Sequence, residues 1–266
     1  MIREIKKIGI IIKRDFKILM TYRLAFSAMF LNMIFNLFYF ILFGSMFKET
    51  TPDALIPYKQ DFVTYLLIGS IGWSFLWTVM SSSSIALRNE MMIGTLESIL
   101  LSSTSLLTIV IAYTIFGCFM GLISTVIFLS VGYFIYHAYF MANMYTLLIF
   151  LVSIIMMAGL GMIFSGLTIW IKNIGQTIPL IQNISMFFSG VYFPVSILPK
   201  YLQGVAKFVP FYYSIEGMRI SIVSPSESIQ YLVILILISS IFVILGIYSL
   251  RKGLEKAMKE GSLAFY

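Results

Sequence analysis

Residues 106–134 read LLTIVIAYTIFGCFMGLISTVIFLSVGYF, with no Asp, Glu, Lys or Arg. About 20 such residues in a helix cross the hydrocarbon core of a bilayer. The charge-free stretch extends on both sides to cover 98–171, and others occupy 24–47, 62–87, 173–199 and 228–250. A charge at the bilayer centre costs about 2.5–3.5 kcal/mol even on the gentlest scale, so runs of this length mark lipid as the main solvent. Run 98–171 is too long for one crossing. Its most polar part, His137 to Asn143, is flanked by Tyr133, Tyr136 and Tyr145, and aromatics of this kind gather at membrane interfaces. Divided there, the chain predicts an all-α membrane protein with six spans, near 24–47, 62–82, 106–134, 145–171, 174–193 and 229–250.

Composition agrees. The chain has 266 residues, of which 60% are hydrophobic and 11% charged, against about 25% charged in a soluble domain. The net charge of +7 sits in short flanks between apolar runs, which favours an anionic lipid surface as partner over nucleic acid. Cys118 is the single cysteine, so neither an internal disulfide nor a cysteine metal cluster is expected. The charged segment 1–23 and the apolar segment after it do not have the dimensions of a cleavable signal, so the first apolar segment is expected to stay as a helix. With the N-terminus inside, 13 of the 18 Lys and Arg residues fall on the inner side. The positive-inside rule then predicts both ends in the cytoplasm, with the chain a multi-pass protein of the cell membrane.

Three segments lie outside these spans. In 2–20, Ile2, Ile5, Ile8, Ile12, Phe16 and Leu19 recur every three or four residues, with Arg3, Lys6, Lys7, Lys13, Arg14 and Lys17 mostly elsewhere. That is an amphipathic basic helix suited to the inner leaflet, or simply a topology anchor. Segment 88–103 holds Arg88, Glu90 and Glu97, and Thr95 after Gly94 is placed to cap a short helix. It reads as a docking surface for a soluble partner or as a solvated loop. Segment 194–228 is apolar but divided by Pro194, Pro199 and Pro210, and it carries Glu216 and Arg219. Its pieces are too short to span, which predicts one or two short re-entrant helices shielded by other protein.

In this order the three segments resemble the ABC-2 type permeases, the membrane subunits of ATP-binding-cassette exporters. The likeness covers essentially the whole chain. It rests on Arg14-Asp15 and Tyr22-Arg23 before the first span, and on Glu90-x-x-x-Gly94-Thr95-Leu96-Glu97. It rests also on Gly190-Val-Tyr-Phe-Pro194, Leu198-Pro199 and Pro210 with Glu216-Gly-x-Arg219. The chain departs from the family where Leu100-Leu101-Ser102-Ser103 replaces a Leu-Leu-Ser/Thr-Pro pattern. The resemblance implies a single transmembrane domain over 1–266, divided into a cytoplasmic helix 1–23, a core 24–250 and a tail 251–266. It implies pairing with a second copy or a related permease, and one ATPase beneath each subunit. Arg88, Glu90, Gly94, Thr95, Leu96 and Glu97 would couple to the ATPase, and Lys13, Arg14 and Asp15 would help clamp it. Pro194, Pro199, Pro210, Glu216 and Arg219 would belong to the outer gate. Cargo would be a drug, a lipid or a lipid-linked glycan. The absence of Trp before Trp73 leans toward a small or lipid-like hydrophobic one.

None of the 18 glycines is followed by lysine, so a phosphate-binding Walker A loop is not expected here. ATP and magnesium would bind the partner, and the chain itself would not be an enzyme. An ion-coupled carrier or a channel is the alternative: the six predicted spans hold no ionisable groups for proton or sodium coupling and no ring of acids, but a carrier coordinating sodium through backbone and hydroxyls stays open. An intramembrane protease built from Ser74 and His137 is a remote alternative that lacks the nucleophile-elbow pattern. Asn32 and Asn36 share one helix face, as do Gln182, Ser185 and Ser189, with Asn183 beside them. These groups either bond helix to helix or line a substrate path. Gly117-x-x-x-Gly121 and Gly161-x-x-x-Ser165 predict close helix packing.

Overall fold

A computed structural model describes residues 2–45, 53–58, 61–136, 142–171 and 177–260. Among them the chain is helical, with no strand. The α-helices are α1 (Ile2–Thr21), α2 (Arg23–Ser45), α3 (Phe62–Ile93), α4 (Thr95–Leu101), α5 (Leu106–Tyr136), α6 (Met144–Trp170), α7 (Thr177–Phe188), α8 (Lys200–Ala206), α9 (Pro210–Val223) and α10 (Pro225–Lys259). Short 3-10 turns occupy Asp53–Tyr58 and Val195–Ile197.

Four helices, α3, α5, α6 and α10, are long and apolar enough to cross a membrane, and counting the bent pair α1–α2 as one span gives five. The pair is bent by 89°. The expected fifth span, 174–193, is represented by the 12-residue α7, which at 1.5 Å per residue is only about 18 Å long. His137 and the centre of the predicted 135–144 hairpin fall outside the described residues.

The second helix is longer than the sequence suggests. Span 62–82 continues unbroken to Ile93, so most of the segment expected as loop is helix. Its hydroxyls explain this. Thr78, Ser81, Ser82 and Ser84 each donate to a carbonyl three or four residues back on the same helix, so polar side chains here do not compete for exit from the helix. Asp61 opens α3 by accepting from the Thr64 amide, and Gly94 closes it with φ 77°, a left-handed conformation that favours glycine.

The core is built around α3. Leu76 and Val79 are fully buried with Met156 and Met157 of α6 and Ile215 of α9. Further along, Leu87 and Met91 join Leu96 of α4, Ile109 and Val110 of α5 and Ile11 of α1. Both predicted small-residue motifs pack on α3. A side chain at Gly117 would strike Ser82, one at Gly121 would strike Phe75, and one at Gly161 would strike the Met80 carbonyl.

Helices α6 and α10 pack backbone to backbone. Glycines seven residues apart on each, Gly159 and Gly166 against Gly246 and Gly253, let backbone meet backbone, and a Cβ on Gly246 would fall 2.7 Å from the Gly159 carbonyl oxygen. Small residues are what permit such approach between helices in lipid. Gly246→Leu is therefore expected to cost about 3 kcal/mol or more through overpacking. Gly9→Ala, where nothing lies within 4 Å, should be neutral or slightly stabilising. Thermal unfolding of the detergent-solubilised chain compares the two.

Candidate functional site

Two polar clusters tie the helices together at opposite ends of α3, and a cavity lies between them. The first cluster centres on Glu90, in the last turn of α3. One carboxylate oxygen accepts from Arg14 Nη2 at 2.6 Å and from the Tyr113 hydroxyl at 2.7 Å. The other accepts from the Thr95 hydroxyl. Arg14 also donates to Tyr113 at 2.9 Å and to Asp15 at 2.9 and 3.0 Å. One carboxylate thus joins α1, α3, α4 and α5. Burial pushes the Asp15 carboxyl up, and the neighbouring Arg14 guanidinium opposes the shift.

Two further ties reinforce α1. Lys7 donates to the Ser103 carbonyl at 2.6 Å, and Thr108 donates to Glu4 at 2.6 Å. The Thr108 hydroxyl and the Lys7 ammonium hold the Glu4 carboxyl below its usual range. Phe16 packs edge-on against Phe116 and Phe119 of α5 at 5.4 and 4.7 Å. The apolar stripe of α1 is therefore partly spent on the protein itself.

This geometry sorts the residues expected to couple or clamp. Glu90, Arg14 and Asp15 turn inward, and Leu96 is fully buried. Lys13 and Glu97 are exposed. Thr95 is the first residue of α4 and not its cap: Gly94 holds the cap position, and the Thr95 hydroxyl is taken by Glu90. Arg88 is half-buried, with its Nε unpaired among the described residues. Met92, Ile93 and Leu101 are exposed at the α3–α4 turn, interspersed with exposed Asn89, Glu97, Ser98, Ser102 and Ser103. Ser103, where the family pattern has proline, has φ 59°, a conformation the proline ring forbids.

The second cluster centres on Arg219 of α9, which is fully buried. Its guanidinium donates to the carbonyls of Gly190, Tyr65 and Val191 at 2.6, 2.9 and 3.0 Å. It also lies 3.5 Å from the centroid of the Tyr65 ring, a cation–π contact made strong by burial. The Tyr65 hydroxyl donates to the same Gly190 carbonyl at 2.9 Å. Gly69 makes the room, since a Cβ there would collide with Arg219 and with the Val191 carbonyl. Glu216, one turn before Arg219, accepts from the Tyr58 hydroxyl at 2.6 Å, fastening the Asp53–Tyr58 turn to α9. Burial pushes the Glu216 carboxyl up, opposed by the Arg219 charge. Pro194 precedes the Val195–Ile197 turn, Pro199 precedes α8, and Pro210 begins α9, the positions where a missing amide costs least.

Between the clusters lies a cavity of about 380 Å³ bounded by α2, α3, α5 and α7. Of the polar residues expected on a path, it brings together Asn32 and Gln182, with Ser70, Ser74, Trp73 and Trp77 of α3. Asn183 faces outward, and Ser189 is buried with its hydroxyl on the Ser185 carbonyl. The Asn36 side chain falls outside the described residues. Tyr58, Tyr65 and Tyr113 were not among the expected site residues. Their signal was there: Tyr65 and Tyr113 carry hydroxyls inside otherwise apolar spans and must find partners.

A bundle of long apolar helices, cross-linked by one sealed and one half-buried charge cluster, defines a multi-pass membrane protein. The sequence pattern described as ABC-2 type transporter matches residues 6–223, and the chain belongs to that family: it is a transporter membrane subunit, of a kind that works with an ABC ATPase. No curated protein matches the chain.

Arg219→Leu removes the guanidinium from three buried carbonyls, of which Gly190 keeps the Tyr65 hydroxyl, and should cost roughly 3 kcal/mol. Arg219→Lys should recover only part, because one ammonium cannot reproduce the planar fork. Unfolding midpoints of the two variants against the parent chain measure this.

Proposed function

We propose that this chain is the permease of an ATP-driven exporter, moving a hydrophobic or amphipathic molecule out of the cytoplasm or the inner leaflet. The observation that carries the reading is the Glu90 cluster. It makes α1, the α3–α4 turn and the start of α5 one unit, and that unit exposes three large apolar side chains among polar ones. Exposed Met92, Ile93 and Leu101 around a single carboxylate, Glu97, suit insertion into a cleft of a soluble partner. The partner is an ABC ATPase that binds ATP and magnesium, seated on the cytoplasmic side of the cell membrane beneath α4. Lys13, exposed on α1, would meet it from one flank.

In this reading both termini are cytoplasmic and the Arg219 cluster lies toward the outer face. The short helices α8 and α9 enter the outer leaflet without crossing it. The permease works as a pair, either two identical copies or this chain with a related one. Closure of the ATPases on ATP pushes α4, and the firmly tied α1, α3 and α5 ends move with it. Catalysis stays on the partner, and the permease contributes differential affinity of its two conformations for cargo.

Glu97→Lys and Ile93→Asp are expected to leave folding unchanged and to lower cargo-dependent ATPase activity about tenfold in the reconstituted complex, the size of one lost buried contact at an interface. Glu90→Lys, by contrast, should impair folding, because it places a like charge against Arg14. Affinity purification in mild detergent should co-isolate an ATPase. Vesicles containing only this chain that accumulate a solute on a cation gradient would overturn the proposal.

A further inference from the structure

We propose that the groove between α1, α3 and α5 holds a resident phospholipid with a primary ammonium head, of the phosphatidylethanolamine kind. The inference goes beyond the exporter reading and takes from it only that the Glu90 end faces the cytoplasm.

The groove, of about 660 Å³, lies at the elbow where α1 bends by 89° into α2. Arg14, Asp15, Asn89 and Glu90 line it at the end nearer α4, and Phe26, Phe116 and Met120 line it deeper in the bundle. Thr78, Ser81 and Ser82 are deep as well, but each hydroxyl is taken by a carbonyl of its own helix. The wall thus passes from charged to apolar in the direction a lipid does. Along α3, Glu90 to Thr78 spans about 18 Å at 1.5 Å per residue, close to one leaflet's share of a hydrocarbon core about 30 Å thick. Ile18 and Ile85 on the wall are 49% and 44% exposed, so an acyl chain can enter from the side.

The charged end selects among lipid heads. Arg14 Nε and Nη2 both donate to the same oxygen of Asp15, Oδ1. Asp15 Oδ2 and Arg14 Nη1 have no partner among the described residues, and neither is sealed from solvent. An unfilled anionic acceptor and an unfilled cationic donor therefore sit side by side. The Asp15 side chain is only 14% exposed, and a carboxylate so placed gains most from a charge-assisted hydrogen bond. A zwitterionic head matches the pair, with its ammonium on Asp15 Oδ2 and its phosphate on Arg14 Nη1. A primary ammonium brings three N–H donors, whereas a choline head brings none. The charged residues of the wall are one guanidinium and two carboxylates, so an anionic head such as that of phosphatidylglycerol is repelled. Seated there, the lipid braces α1 against α3 and α5 beside Glu90.

The full chain is placed in nanodiscs of equimolar phosphatidylethanolamine, phosphatidylcholine and phosphatidylglycerol, extracted in mild detergent and read by native mass spectrometry. Phosphatidylethanolamine should be retained roughly tenfold over either other lipid, the value of one charge-assisted hydrogen bond. On the unmodified chain, stepwise N-methylation of the head should weaken retention, because N–H donors are lost while the charge stays. Dodecylamine, an ammonium without a phosphate, should displace the lipid roughly tenfold less well than phosphatidylethanolamine does. Asp15→Asn should abolish the head preference, Asp15→Glu should keep it, and Ile85→Trp should lower retention of every lipid by filling the groove. Circular dichroism and size-exclusion profiles verify that the variants fold. Retention of no lipid, as when a second copy of the chain closes the groove, overturns the site. Retention indifferent to N-methylation overturns it too, and equal displacement by dodecylamine does so in favour of a free amine. Binding is measured without an ATPase, so its failure leaves the exporter reading standing. Lipid retained as expected beside an absence of ATP-driven transport rejects that reading and keeps the site.

Discussion

A charge removed from water must find its hydrogen bonds inside the protein, and at Arg219 that constraint organises the architecture around it. The guanidinium has no carboxylate within ion-pair distance among the described residues, and three backbone carbonyls receive it instead. Those carbonyls belong to α3 and to the turn after α7, so one side chain on α9 fixes the relation of three segments. Gly69 exists in this packing as space for it, and Gly190 supplies the turn with φ 73°. Arginine suits the task because its donors are fixed in a plane and its charge cannot be surrendered by deprotonation.

The Glu90 cluster meets the same constraint with the opposite sign, and the two clusters differ in what surrounds them. Arg219 is sealed, with Tyr65 across its face. Glu90 lies beside a groove of about 660 Å³ between α1, α3 and α5, and Arg14 remains partly exposed. An anchor open to solvent on one side costs less to rearrange than a sealed one. The end bearing Glu90 is thus the more deformable of the two.

Much of this was legible in the residues and some was not. Charge-free runs located α2, α3, α5, α6 and α10, because lipid punishes any error of charge. The glycine motifs of α5 and α6 were read correctly as packing. The end of α3 was missed because Ser81 to Ser84 followed by Arg88 looks like loop, whereas hydroxyls that bond to their own helix are compatible with its continuation. Glu90 was assigned to an outward surface. Its inward turn depends on Arg14, 76 residues away, and on Tyr113, and no local pattern encodes such a meeting. The pairing of Tyr58 with Glu216 is hidden for the same reason, while the proline positions were readable since each begins a helix or turn. Asn32 and Gln182 were noticed as polar groups in separate spans, and only the fold places them on one cavity.

A single helix carries all of these elements. Tyr65 and Gly69 near one end of α3 meet Arg219, Ser70 to Thr78 line the cavity, and Glu90 meets Arg14 at the other end. From Tyr65 to Glu90 is about 38 Å at 1.5 Å per residue, with no proline or left-handed residue between them. A helix without a break transmits displacement as a rod, whereas a kinked one absorbs it. Work done on the α3–α4 turn therefore reaches the Arg219 cluster past the cavity wall with no soft joint intervening. Because the three carbonyl bonds of Arg219 cannot lengthen gradually without stranding a buried charge, that end responds as a unit: it holds, or it moves together with α9 and the turn after α7. Under the proposed exporter reading α3 would need no moving part within it, and the glycine seam between α6 and α10 would give it a firm wall to move against.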